Sequence, residues 1–157
     1  MKNFYATTII FVTSVVSSII AWYFSFQNNY ILTYNDAASH LNIARRVVDS
    51  LTPGFAQIGT VWLPLPHILM IPFAWNDFLW HTGLAGSIVS MIAYVASAVF
   101  LYKMLVLVTR SSIAGLIGAS VLMLNPNLLY MQTTPMTETL LIASIIMGLS
   151  TYILKLV

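Results

Sequence analysis

The chain has 157 residues, 59% of them hydrophobic, and only ten charged side chains: six Lys or Arg and four Asp or Glu. A soluble domain carries roughly 25% charged residues, so ten charges cannot cover one of this size, and a mean hydropathy of +0.89 makes the bilayer the main solvent. The formal charge of +2 is too small to imply a nucleic-acid partner, and the lack of cysteine excludes disulfides and thiolate metal sites.

Gaps between charges mark the membrane spans. Tyr5 to Phe26 is almost wholly apolar or small and ends in the aromatic run Trp22, Tyr23, Phe24; it is long enough for one crossing at about 20 residues. No A-x-A site precedes the polar Gln27, so it reads as a retained span rather than a signal peptide. The next gap, from Asp49 to Asp77, contains Pro53, Pro64, Pro66 and Pro72, which argue against a straight spanning helix. It reads as short helices and turns at the membrane surface, with Trp62, Trp75 and Trp80 at headgroup level.

Phe78 to Tyr102 is a clean span whose small pairs Gly83/Ser87 and Gly86/Ser90 allow close helix contact. A further span begins near Ser112, carries the pair Gly115/Ala119, and breaks at Asn125-Pro126-Asn127; the last begins near Thr137 and ends beside Lys155. The expectation is an all-α, polytopic membrane helix bundle: one membrane module over 1–157, with spans at about 5–26, 80–103, 112–129 and 137–157 and an external loop over about 27–79.

Lys/Arg placement orients it. With the N-terminus in the cytoplasm of a cell-membrane protein, Lys2, Lys103, Arg110 and Lys155 are inside and Arg45 and Arg46 outside. All four acids (Asp36, Asp49, Asp77, Glu138) and all three histidines then share the external face.

The external loop opens with a helical pattern from Asn35 to Asp49, with Asn35 as its cap and Pro53-Gly54 as its stop. At roughly 100° per residue, Ser39, Asn42, Arg45, Arg46, Asp49 and Ser50 share one arc, and Ala37, Leu41, Ile43, Ala44, Val47, Val48 and Leu51 the other. Asp36 and His40, at i and i+4, fall on the apolar arc and are expected to point toward the membrane-embedded body. A buried ionisable group costs several kcal/mol unless paired or used, which makes Asp36 the leading functional candidate; its first-turn position is also what capping and the helix dipole alone would favour. Glu138, at the external entrance of the last span, is the second acid, with a plain capped helix start as its structural alternative. His40 serves equally as an interface histidine, and Arg45 and Arg46 as solvated or lipid-facing residues. His67 lies in a proline-stiffened segment, where the prolines also suit a simple surface turn.

One span, an external acid on an amphipathic helix, a Trp/Pro-rich surface segment and further spans together resemble the GT-C superfamily of membrane glycosyltransferases, in particular the protein O-mannosyltransferase and lipid A aminoarabinose transferase relatives. Tyr34-Asn35-Asp36-Ala37-Ala38-Ser39-His40-Leu41 through Ala44-Arg45 resembles the first-loop motif, Gly59-Thr60-Val61-Trp62-Leu63-Pro64-Leu65-Pro66-His67 the segment after it, and Pro135-Met136-Thr137-Glu138 the acidic site of the second external loop. Many relatives carry an Asp-Glu pair where this chain has Asp36-Ala37, and they have more than four spans, so the resemblance is to the N-terminal part of such an enzyme, which would work with further transmembrane segments or a partner subunit.

The resemblance implies transfer of a sugar from a dolichyl- or undecaprenyl-type phosphate donor to a hydroxyl of a protein, lipid or glycan acceptor. Asp36 and Glu138 would be the catalytic acids, with Asp36 as base, and His40, Arg45, Arg46, Trp62 and His67 the substrate-holding residues. Asp36, His40 and Glu138 are also the donor types of a divalent-metal site, though on two distant segments. The rival classes are a membrane transporter, against which no span centre carries a charge, and a non-catalytic membrane assembly subunit.

Overall fold

The computed structural model of the chain describes residues 2–58 and 61–156. Among these residues it is all-helical, with no strand. The helices are α1 (Lys2–Gln27), α2 (Asn35–Arg46), α3 (Pro64–Ala74), α4 (Asp77–His81), α5 (Leu84–Thr109), α6 (Ser112–Met123), α7 (Pro126–Met131) and α8 (Glu138–Leu156), with a 3-10 turn at Phe55–Ile58. Three are long and apolar enough to cross a membrane: Phe4–Gln27 of α1, α5 and α8. Gly59, Thr60 and Val157, which belong to the expected motif and last span, lie outside the described residues.

Two boundaries differ from expectation. The crossing expected from residue 80 starts at Leu84, because a separate short helix precedes it: the Asn76 side chain accepts from Leu79 N and starts α4, and Gly83, at φ 80°, breaks the chain before α5. An added Cβ there would lie 2.9 Å from Leu32 Cδ2, so both the backbone angle and the space select glycine. The stretch 112–129 is two helices. α6 ends after 12 residues, shorter than the roughly 20 of a straight crossing, and α7 restarts at Pro126, with the Asn125 side chain accepting from Asn127 N and Leu128 N.

α5 is the central helix and packs against α1, α6 and α8. Ile10, Tyr94, Ala98, Tyr102, Ala119 and Met123 form the core between α1, α5 and α6. At the other end of α5 the small face Ala85, Gly86, Ser87 and Ser90 is buried, and a polar turn, 132–135, rests on it. Ser87 Oγ donates to Thr133 O at 2.6 Å, and Ser90 Oγ to Met136 O at 3.1 Å. Gln132 accepts from Ser18 Oγ at 2.7 Å, and Thr133 Oγ1 donates to Ser25 Oγ at 2.9 Å. Every polar side chain of this turn is thus partnered, as burial beside apolar helices demands.

These bonds also fix direction: the end of α1, the start of α5 and the start of α8 meet at one end of the bundle. Across that end lies a layer of α2, α3 and α4, whose core is Leu41, Ala44, Met70 and Ala74 against Ala85 and Val89 of α5. Pro64 and Pro66 sit in the first turn of α3, where a missing N–H breaks no helical bond. All four acids and all three histidines belong to this end, while Lys103, Arg110 and Lys155 lie toward the other.

Candidate functional site

α2 positions the site. It ends at Arg46 rather than Asp49, and Tyr34, in extended backbone, precedes it; Asn35 is its first residue rather than its cap. The buried arc is Ala37, His40, Leu41, Ile43 and Ala44, as the apolar periodicity requires. Asp36 departs from expectation: it is exposed. The packing of α2 begins one residue later, at Ala37, so the first turn projects beyond the covered surface, and the carboxylate stays in water near the positive end of the helix. Glu138, in the first turn of α8, is exposed as well.

The group that is turned inward is an imidazole pair. His40 Nδ1 and His67 Nε2 lie 2.9 Å apart, one donating to the other, with the rings 2% and 0% exposed. α2 and α3 supply one histidine each, and the Trp62 ring packs on His40 at 4.7 Å. His67 Nδ1 is buried with no hydrogen bond of good geometry. Burial lowers the His40 pKa, while the Asp36 and Glu138 carboxylates pull it back up. His67 is lowered from 6.5 to about 4, first by burial and then by His40, the Leu63 carbonyl acting weakly the other way. Both rings are therefore neutral at pH 7. Asp36 and Glu138, a hundred residues apart in the chain, both act electrostatically on the same imidazole.

Beside this pair runs an apolar groove of about 440 Å³, between Val61, Trp62, Leu63, Leu65 and Pro66 on one side and Thr137, Leu140, Leu141 and Ser144 of α8 on the other. Trp62 belongs to both features: it covers His40 and lines the groove.

Arg45 is elsewhere engaged. Nε and Nη2 donate to Asp49 Oδ2 at 3.0 and 2.7 Å, Nη2 meets Asp77 Oδ1 at 2.6 Å, and Nη1 donates to the Ala74 and Trp75 carbonyls at 3.0 and 3.1 Å. Those five contacts match the five N–H groups of a guanidinium, which also lies 4.8 Å over the Trp80 ring. Arg45 therefore closes the C-terminal end of α3 and ties α2 to α4, and it has no donor left for a substrate phosphate. The hydrogen bond to Asp49, foremost, raises its pKa further. Arg46 is exposed on the solvent arc of α2 and makes no ion pair among the described residues. His81 is exposed, its Nδ1 2.8 Å from Asp77 O.

Of the expected site residues, the fold brings His40, Trp62 and His67 into contact, leaves Asp36 and Glu138 exposed with an electrostatic effect on His40, and commits Arg45 to other partners. His67, fully buried, supports His40 rather than facing a ligand. No three His, Asp or Glu among the described residues are close enough together to hold a metal ion, so the expected Asp36, His40, Glu138 set is not assembled as one. Sequence reasoning missed Gln132 and Thr133, which hold the approach to α8 and hence Glu138. The available signal was a Gln-Thr-Thr-Pro run inside a charge-free stretch between two apolar segments.

No protein-family model matches the chain, and no curated protein or solved structure is significantly similar to it.

Proposed function

We propose that the chain is a module of an integral-membrane glycosyltransferase that takes a sugar from a polyprenyl-phosphate donor and passes it to an acceptor hydroxyl. The observation that carries this reading is the buried, neutral imidazole pair, acted on by two carboxylates and separated by Trp62 from an apolar groove at one end of a membrane bundle. A donor of this kind needs those parts side by side: a groove for the isoprenoid, a donor to phosphate oxygen, and a carboxylate within reach of the acceptor.

In this reading the acidic, histidine-bearing end is external and the N-terminus cytoplasmic, as the Lys/Arg distribution favours, and α6 with α7 makes a fourth, broken crossing. The acceptor oxygen attacks the anomeric carbon, its proton passes to the Asp36 carboxylate, and the bond from that carbon to phosphate oxygen breaks with its electron pair leaving on the polyprenyl phosphate. Such a displacement inverts the anomeric configuration. Phosphate is a good leaving group, so no strong acid is required.

With Arg45 engaged, a phosphate oxygen would select the tautomer in which His40 Nε2 carries the hydrogen, leaving His67 Nε2 to donate inward to His40 Nδ1. Trp62 offers its ring to the sugar or to the first isoprene unit. Glu138 holds the acceptor or sugar hydroxyls from the α8 side.

The test is Asp36→Asn in the protein as it occurs in its membrane. Sugar transfer should fall by about the 10²–10⁴-fold typical of losing a general base, with expression unchanged. Retained transfer would refute the role.

A further inference from the structure

The imidazole pair sits on a lever that carries the groove wall. A polar contact joins α2 to α3 near each end. At the C-terminal ends Arg45 donates to the Ala74 and Trp75 carbonyls and is itself held by Asp49 and Asp77. Toward the N-terminal ends His40 meets His67. His40 is five residues before Arg45 and His67 seven before Ala74, so at 1.5 Å per residue the pair lies about 8–11 Å from that clamp. Between clamp and pair, α3 contains Pro72, which has no N–H for the Ile68 carbonyl and makes this the place where the helix bends most easily.

The space between the rings holds one hydrogen. Given by either ring, it satisfies both facing nitrogens. A second proton sets N–H against N–H at 2.9 Å between rings 2% and 0% exposed, so the rings must part to take it. With the clamp fixing one end, the half of α3 before Pro72 is the part free to swing. Residues 61–63 lead into it, and with it go Trp62 and the wall that faces Leu140 and Leu141 across the groove. The charges that act on His40 are Asp36 of α2 and Glu138 of α8, and both favour its proton. α3 has no titratable group besides His67; on α4, Asp77 is held by Arg45 and His81 by the Asp77 carbonyl; α5 has no charged residue or histidine before Lys103.

We propose that the His40–His67 contact is an acid-sensitive catch: a second proton parts the N-terminal half of α3 from α2 about Pro72, draws Trp62 off His40 and dismantles the apolar groove. An imidazole in water takes its proton near pH 6.5 and the closed His67 at about 4. Each pH unit lost between those values therefore favours the parted state by up to tenfold. As regulation of the donor site this rests on the reading above: acid releases the lipid chain, and a bound chain in turn keeps the proton off the pair. The movement itself needs no ligand.

The test uses the absence of cysteine. Spin labels on Leu65→Cys and Leu141→Cys, both exposed, report the two walls of the groove. In phosphatidylcholine nanodiscs without donor, the distance between them should be narrow at about pH 7.5 and lengthen or broaden reversibly as pH falls from about 6.5 toward 4, with helical content unchanged. Glu138→Gln, at an exposed position, should move that transition to lower pH, and Pro72→Ala should reduce its extent. His67→Gln should abolish it, because an amide can face His40 in either protonation state; His81→Gln should leave it in place. Walls that keep one distance down to pH 4, movement only with general loss of helix, or a transition that survives His67→Gln would overturn the proposal, as would one unmoved by Glu138→Gln. If the walls part but acid leaves a labelled polyprenyl-phosphate sugar bound as before, the catch stands and the donor reading falls.

Discussion

Acidification should loosen the layer of α2 and α3 through its imidazole pair. In the unfolded chain an imidazole takes its proton near pH 6.5, whereas folded His67 does so at about 4. Between those values the unfolded state holds more protons, so stability rises with pH and is lost as pH falls from about 6.5 toward 4. At about 1.4 kcal/mol per pH unit for one proton, the shift of His67 from 6.5 to about 4 is worth on the order of 3 kcal/mol across that window. His40 acts in the same direction, because its pKa is also lowered. The physical cost is direct: a doubly protonated pair would set two N–H groups against each other across 2.9 Å with no water between them.

The assay is thermal unfolding in detergent micelles between about pH 7 and pH 4.5, comparing the native chain with His67→Phe. Every other side chain is common to both proteins, so the difference isolates the imidazole. The native chain should lose stability steeply, and the variant should begin less stable and lose less. Ring-nitrogen spectra follow the protonation itself, and with three histidines in the chain, His81→Gln assigns them. Buried rings that titrate at or above 6.5, together with parallel stability curves for the two proteins, would refute the reasoning.

Arg45→Ala should destabilise the chain by about 1–3 kcal/mol, since it leaves the Ala74 and Trp75 carbonyls and two carboxylates unpartnered; Arg46→Ala should stay within about 0.5 kcal/mol, and chemical denaturation separates the two. Gly86→Ala places a methyl 2.6 Å from Pro135 Cα and should cost about 1–3 kcal/mol in the same measurement. Gly148→Ala, with nothing within 4 Å, should be neutral or gain up to about 1 kcal/mol from helix propensity. Glu138→Gln should weaken sugar transfer more than Asp49→Asn, because Glu138 acts electrostatically on His40 whereas Asp49 is committed to Arg45; equal effects would count against a shared site.

Much of the architecture is legible in composition and spacing. The apolar runs of α1, α5 and α8 declare themselves by length, and the 3.6-residue period of α2 marks Ala37, His40, Leu41, Ile43 and Ala44 as the packed face. Periodicity does not say where along a helix the packing starts, so Asp36, on the buried arc by angle, stands exposed one turn before His40 is covered. It is equally silent on pairing between segments. His67 is a lone histidine among prolines until α3 folds onto α2, and Arg45 looks like a surface cation until the end of α3 supplies two carbonyls. The turn 132–135 was hidden for the same reason, since its polar residues are satisfied by serines of α1 and α5 far away in sequence.

Photolabelling the protein in native membranes with a polyprenyl-phosphate sugar bearing a photoreactive isoprene tests the proposed site most directly. Label should map to the groove between Trp62 and Leu141, be displaced by unlabelled donor, and fall sharply in His40→Ala while persisting in Arg46→Ala. Label scattered over α1, α5 and α8 without displacement, or undiminished in His40→Ala, would contradict a lipid-phosphate sugar site built on the imidazole pair.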